Sequence, residues 1–232
     1  GLQVFGTVTK TAVATGADLV GYSGFSTSNY LKQPHNSGLN FGTGDFCVMG
    51  WVKSNSHEAG TLFDRGPANG ADEYRIFVNL NVDGSILFRT TAAANARSSL
   101  QTAANAYPEN AWSKFCFVRR NAGTTQEIYV NGKLAATASV AARDIDSVTS
   151  TLIVGVARSA TNPCNDSSIA LFRISATAPS PEQIAKIYND EKHLFQAGAQ
   201  ATLYGTSDAV TALAHDDTTE LLHVGTSAGR SV

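Results

Sequence analysis

Charge is scarce in this sequence. Only 16% of its 232 residues are Asp, Glu, Lys or Arg, and the signs nearly cancel at 17 basic against 19 acidic. No basic run exceeds Arg119-Arg120. Phosphate backbones need clustered Lys and Arg, so no nucleic-acid partner is expected. No apolar stretch approaches the about 20 residues of a bilayer-spanning helix, so no membrane insertion is expected either. Cysteine is scarce and odd in number: Cys47, Cys116 and Cys164, without the CxxC or Cys/His spacing of a zinc site. Cys47 and Cys116 lie in apolar runs ("FCVMGW", "FCFV"). They read as packing residues or, in neighbouring strands of an oxidised protein, as a disulfide. Cys164, in a polar loop, reads as a free thiol. The chain starts at Gly1 with neither Met nor a charged, apolar leader, as a fragment or a processed form would.

What is present is mostly strand. In "EIYVNGKLA" (Glu127–Ala135) Asn131-Gly132 separates two short apolar runs. Asn and Gly tolerate the positive φ of a type I′ turn, so this reads as a hairpin. Asp83-Gly84 reads the same way between "YRIFVNLN" and "SILFRTT". "FCVMGWVKS" (Phe46–Ser54) is a near-continuous apolar run, as in a strand covered on both faces. Turn signals recur at short intervals through "TLFDRG", "AWSKFCFVRR", "STLIVGVA" and "SSIALFRIS", which points to an antiparallel sandwich. No period of about 20–50 residues repeats along the chain. One helix stands out in "SPEQIAKIYNDEKHLF": Ser180, Pro181 and Gln183 make a capping-box start, and Ile184, Ile187 and Tyr188 an apolar stripe. The texture changes near Gln196–Gln200, where a second segment with two strands flanking an Asp216–Thr219 turn begins.

The order of these motifs resembles a laminin-G-like, or concanavalin-like, jelly-roll domain. "GYSGFSTSNYLKQPHNSGLNFGTGDFCVMGWVK" is similar to the opening of such a domain. "YPENAWSKFCFVRRNAGTTQEIYVNGKLA" is similar to its Trp-led strand and hairpin, and "TLIVGVA…SIALFRISATAPSPEQIAKIYN" to its Gly-bearing strand, return strand and helix. The resemblance implies an all-β fold: an antiparallel two-sheet jelly-roll sandwich with one short C-terminal helix and a terminal β-hairpin extension. The expected organisation is an N-terminal β segment over 1–20, the jelly roll over 21–195, and a possibly oligomerising hairpin extension over 196–232. Within that extension "DAVTALAHDDTTELLHVGTSAGRSV" is similar to one β-propeller repeat, which cannot close a propeller alone. Together the flanks resemble appended domains of bacteriophage tail fibres, which implies a homotrimer in a virion or extracellular setting.

The resemblance implies a domain that binds glycans or proteins through rim loops, often with calcium. Glycosidase relatives carry two carboxylates on one strand face, about 5–9 Å apart. None of this chain's glutamates, at 58, 73, 109, 127, 182, 191 and 220, falls in a Glu-x-Asp-x-x-Glu segment. The stretch Gly225-Thr226-Ser227-Ala228-Gly229 fits G-x-S-x-G, but lacks the Asp and His that should follow a nucleophile elbow. No catalytic residue is expected, and the chain is read as a binding module rather than an enzyme. A purely structural or trimerising domain is the alternative, and a carbohydrate-active enzyme the third reading. For a tentative calcium ion, Asp72 and Glu73 match the position of an acidic pair in pentraxin-like relatives, and Asn165 and Asp166 offer further oxygens, with Asp64, Asn69 and Asn162 nearby in the loops. The relatives' second acidic set is missing, replaced by Val156-Ala157-Arg158-Ser159. For a glycan, the long segment "TTAAANARSSLQTAANAYPEN" supplies Asn95, Arg97, Gln101 and Asn105 to bond hydroxyls and Tyr107 to stack on a ring. The same segment also reads as a strand plus linker.

Overall fold

In the computed structural model, residues 1–67, 72–196, 210–219, 221–226 and 229–231 are described. In chain order the strands are β1 (Gln3–Phe5), β2 (Thr9–Ala12), β3 (Val20–Ser23), β4 (Tyr30–Gln33), β5 (Phe46–Ser54), β6 (Gly60–Pro67), β7 (Arg75–Leu80), β8 (Ile86–Thr91) and β9 (Arg97–Gln101). They continue with β10 (Ser113–Arg120), β11 (Thr125–Val130), β12 (Lys133–Ser139), β13 (Ser150–Val154) and β14 (Ser167–Ser175). Helix α1 (Pro181–Glu191) follows, then β15 (Val210–Asp216), β16 (Leu221–Thr226) and β17 (Gly229–Ser231).

Two antiparallel seven-stranded sheets form the sandwich. The first has the order β1-β4-β13-β6-β7-β8-β9, the second β12-β11-β10-β5-β14-β3-β2. Their inner faces interleave Phe25, Phe46, Val48, Phe63, Ile76, Val78, Phe88, Phe115, Phe117 and Val154. The non-consecutive strand order is what joins the sheets: β5 and β6 follow each other in sequence but lie in different sheets. The chain divides into two compact units, Gly1–Gln196 and Ala197–Val232. The second holds β15-β16-β17, one strand more than the expected hairpin. The last residue of the G-x-S-x-G stretch, Gly229, begins β17, and its Ser227 lies outside the described residues, as does Asn69.

Local chemistry explains the elements. Asn131 and Gly132 both take positive φ, 51° and 76°, so β11 and β12 close as the two-residue hairpin that this pair favours. Gly155 ends β13 at φ +93°, where a Cβ would lie 2.1 Å from Phe25 Cδ1, so only glycine fits. Ser180 caps α1 with the full reciprocal box to Gln183, and Pro181 opens the helix. The helix lays Ile184 and Ile187 on the outer side of the second sheet, against Cys47, Met49, Cys116, Val118 and Tyr129. That is why β5 is apolar on both faces. Glu191 ties the far end of α1 to the same sheet, accepting from Trp51 Nε1 (2.7 Å), Lys114 Nζ (2.6 Å) and Arg173 Nη2 (2.6 Å).

The cysteines are all free and buried. Cys47 pairs with Val118 and Cys116 with Met49, so the two thiols are diagonal neighbours. The thiols hydrogen-bond to each other, which lowers the Cys47 pKa and, together with burial, raises that of Cys116. Cys164 is the free thiol expected of it. It is fully buried, with Sγ 3.5 Å from the Gly155 carbonyl.

Candidate functional site

Side chains on a strand alternate between faces, so the registers fix what the first sheet turns outward. On β7, Ile76, Val78 and Leu80 enter the core, leaving Arg75, Phe77 and Asn79 outside. On β8 the outward set is Leu87, Arg89 and Thr91; on β9 it is Arg97, Ser99 and Gln101. Pairing aligns them in rows across the sheet. One row runs Gln3, Lys32, Ile153, Asp64, Phe77, Arg89, Ser99. The next runs Arg75, Thr91, Arg97.

Asp64 anchors this face. Its carboxylate is fully buried and bidentate with Arg75, Nε and Nη2 each at 2.7 Å. It also accepts the Arg158 backbone N–H at 2.9 Å. Arg75 carries on to Asp72 at 2.7 Å, and Arg97 closes on the other Asp72 oxygen. Burial works against the Arg75 guanidinium, but Asp64 and Asp72 outweigh it and hold its pKa above the ordinary value. Burial likewise works against ionised Asp72, and its bonds to Arg75 and Arg97 outweigh it to hold its pKa low. The Arg75 guanidinium lies 4.1 Å from the Phe77 ring centroid, with Arg89 on the same ring at 5.8 Å. Farther along the face Phe5 stacks on Tyr30 (5.1 Å, 7°), under the Lys32 ammonium.

The sequence-derived sugar contacts divide into two groups. Arg97 and Gln101 share the outward face of edge strand β9, and Asn95 stands just before it in a 3-10 turn with φ 57°. Gln101 Nε2 donates to Ser85 Oγ at 2.8 Å. Asn105 and Tyr107 lie beyond the strand, lining a shallow hollow with His57, Pro108 and Glu109. Tyr107 needs correction as a stacking platform. It is 3% exposed, edge-on to Phe115 at 5.3 Å and to His57 at 4.9 Å, so no sugar can lie on its ring. Its hydroxyl is buried without a partner, and burial with the nearby Glu58, Glu109 and Asp83 charges raises its pKa. Arg75, Phe77 and Arg89 are absent from the sequence-derived set. The alternation of "RIFVNL" and "ILFRTT" marks them as outward, but only the register makes them neighbours of Arg97.

The calcium donors do not fit a calcium cage, which needs six to eight oxygens converging on one point. Asp72 is committed to Arg75 and Arg97. Asp166 belongs to a different cluster, accepting from Asn55 Nδ2 and Ser56 Oγ, while its own N–H donates to Glu58. The two sets share no partner. Among the described residues no group of three or more His, Cys, Asp or Glu gathers at metal-holding distance.

The fold has solved counterparts. The chain is similar to the binding domain of Paraclostridial Mosquitocidal Protein 1, at TM-score 0.67 and 13% identity over 97% of this chain and 58% of that one. It is also similar to the binding domain of Botulinum Neurotoxin DC, solved in complex with SialylT (TM-score 0.63, 17% identity, 82% of this chain, 46% of that). The same domain solved with rat synaptotagmin II gives TM-score 0.63 at 16% identity, with the same coverage. The chain thus spans about half the length of these structures. No curated protein sequence matches it. The family model for the concanavalin A-like lectin/glucanases superfamily (laminin-G type) matches residues 25–185. With that match covering most of the sandwich, the chain belongs to the concanavalin A-like lectin/glucanase superfamily.

Proposed function

We propose that this chain is a non-catalytic carbohydrate-binding module of a larger extracellular or virion protein, and that its ligand lies on the outer face of the first sheet. The observation that carries the reading is the row of outward polar side chains on edge strand β9, Arg97, Ser99 and Gln101, with Arg89 beside them. An edge strand is open on one side, so an oligosaccharide can run along it without displacing protein. Amide, hydroxyl and guanidinium groups suit sugar hydroxyls. On the outer face of the second sheet the central patch is apolar and covered by α1. One similar solved domain was determined with two different bound partners, SialylT and rat synaptotagmin II, which favours a binding role for this fold.

A catalytic role lacks its acid. Glycosidases need one carboxyl with a raised pKa near a second carboxylate. On this face Asp64 and Asp72 both face guanidinium groups, and Asp72 is held low. Burial does raise Glu58, but its oxygens are engaged by Ser167 Oγ and the Asp166 N–H. A glycan array tests the reading: wild type binds a defined set of glycans, and Arg97→Ala with Gln101→Ala loses them. Absence of signal on every glycan sinks it.

A second reading, an oligomerising module forming a homotrimer, draws on the C-terminal sheet, whose Val210, Leu213, Leu221 and Leu222 are exposed. Light scattering decides it, since a clean monomer at micromolar concentration removes the trimer.

A further inference from the structure

We infer that Arg89 and Arg97 form a subsite for an anionic substituent, a carboxylate or sulfate, so that the glycan bound on this face is an acidic one. The inference rests on the carbohydrate reading and adds the charge of the ligand.

Arg89 pairs with Ser99 and Arg97 with Thr91, so the two arginines are diagonal neighbours on one face, with Cα atoms about 7–8 Å apart. Like charges so placed repel unless something neutralises them. Inside the cluster Arg75 is neutralised by Asp64 and Asp72. Arg89 is not: among the described residues no carboxylate lies within ion-pair distance of it, and its one hydrogen bond is Nε to Ser99 Oγ at 3.2 Å. Arg97 spends one Nη on Asp72 and is 50% exposed, leaving its other N–H groups turned outward. Among the described residues the guanidinium groups of Arg75, Arg89 and Arg97 thus meet two carboxylates, Asp64 and Asp72, and the surplus positive charge falls at Arg89 and Arg97. Burial and the neighbouring Arg97 charge outweigh the pull of the more distant Asp72 and lower the Arg89 pKa. Thr91, between Arg75 and Arg97 in its row, is fully buried and its hydroxyl has no partner, a further donor without an acceptor. Planar guanidinium forks match the oxygen spacing of carboxylate and sulfate, whereas a neutral sugar gives them only hydroxyls.

Calorimetric titration of the full chain with 3′-sialyllactose, a heparin-derived tetrasaccharide and neutral lactose tests this. At least one acidic probe is expected to bind about tenfold or more tightly than lactose, and to weaken as salt is raised. Arg89→Gln and Arg97→Gln are each expected to weaken the acidic probe about tenfold and to erase its preference over lactose. Both sites are exposed enough to keep the fold, and the salt series on wild type gives an independent measure. Equal binding of acidic and neutral probes, or acidic binding that survives the double Arg→Gln variant, overturns the subsite but leaves the carbohydrate reading standing. Binding of a poly-glutamate peptide in place of either acidic sugar also overturns it. Silence across a full glycan array overturns both.

Discussion

Asp64→Asn removes the charge at the centre of the candidate face while keeping the side chain's size. The carboxylate is fully buried and takes three close donors: Arg75 Nε and Nη2 at 2.7 Å and the Arg158 N–H at 2.9 Å. An asparagine keeps one acceptor oxygen and turns an NH2 toward groups that are themselves donors. Arg75, only 14% exposed, is then left with Asp72 alone. Breaking a buried pair by removing one partner costs about 3–5 kcal/mol. For a unit of this size each kcal/mol lowers the melting temperature by about 2–4 °C, so a fall of about 6–20 °C is expected. Both tryptophans, Trp51 and Trp112, lie within Gly1–Gln196, so tryptophan fluorescence in urea follows this unit and ignores the C-terminal one. The double variant Asp64→Leu/Arg75→Met should recover much of the loss, because an apolar replacement leaves no uncompensated charge in the pair. If Asp64→Asn costs under about 1 kcal/mol, water reaches the pair and the anchoring role is refuted.

Tyr107→Phe deletes a buried hydroxyl without a partner and should stabilise by about 1 kcal/mol in urea melts; a loss would mean that the hydroxyl is bonded in solution. The Glu191 carboxyl is disfavoured by burial but held low by bonds from Lys114, Trp51 and Arg173. Its stabilisation is therefore complete above the unfolded value near about 4.3 and is lost as pH falls through the lower folded value, so Glu191→Gln should flatten the acid limb of a melting-temperature profile. Asp72→Asn releases Arg97, so affinity for an acidic probe should rise several-fold while the melting temperature falls; weaker binding would mean that Asp72 positions Arg97 for the ligand. Calcium should leave the melting temperature where a chelator leaves it, and a calcium-dependent rise abolished by Asp72→Ala would restore the metal site.

Local chemistry made much of the fold legible, because the deciding residues are neighbours in the chain. Asn131-Gly132 sets its own turn, Ser180 and Gln183 cap each other across three residues, and the two-sided apolarity of Phe46–Ser54 announces a central strand covered twice. The site was only half legible for the complementary reason. Arg97 and Gln101 could be picked as polar residues in a polar stretch. That they share a face with Arg75, Phe77 and Arg89 depends on the pairing of β7, β8 and β9, which no local pattern encodes. Tyr107 misled in the same way: it has polar neighbours in sequence yet is buried against Phe115 and His57. For Asp72 a local cue did exist, since Arg75 stands three residues on, and an acid beside a base is better read as an ion pair than as a metal ligand.

The contrast between the two outer faces is what gives the functional reading its physical force. Each sheet of a sandwich has an outer side that must be hydrated or covered. The second sheet covers its own with α1, burying Ile184 on cysteine, methionine and valine side chains and fastening the end of the helix through Glu191 to Lys114 and Arg173. Opening that face would expose apolar surface and strand Lys114, which is 1% exposed beside its one carboxylate. The first sheet has no such lid among the described residues. It covers its centre with an ion-paired cluster about Asp64 and leaves cationic groups at the β8–β9 edge. Folding alone gains little from placing Arg89 beside Arg97 there, because such charges contribute small and salt-screened energies. A bound anion supplies the missing counter-charge, so the place where the fold is electrostatically incomplete coincides with the place where a ligand can enter.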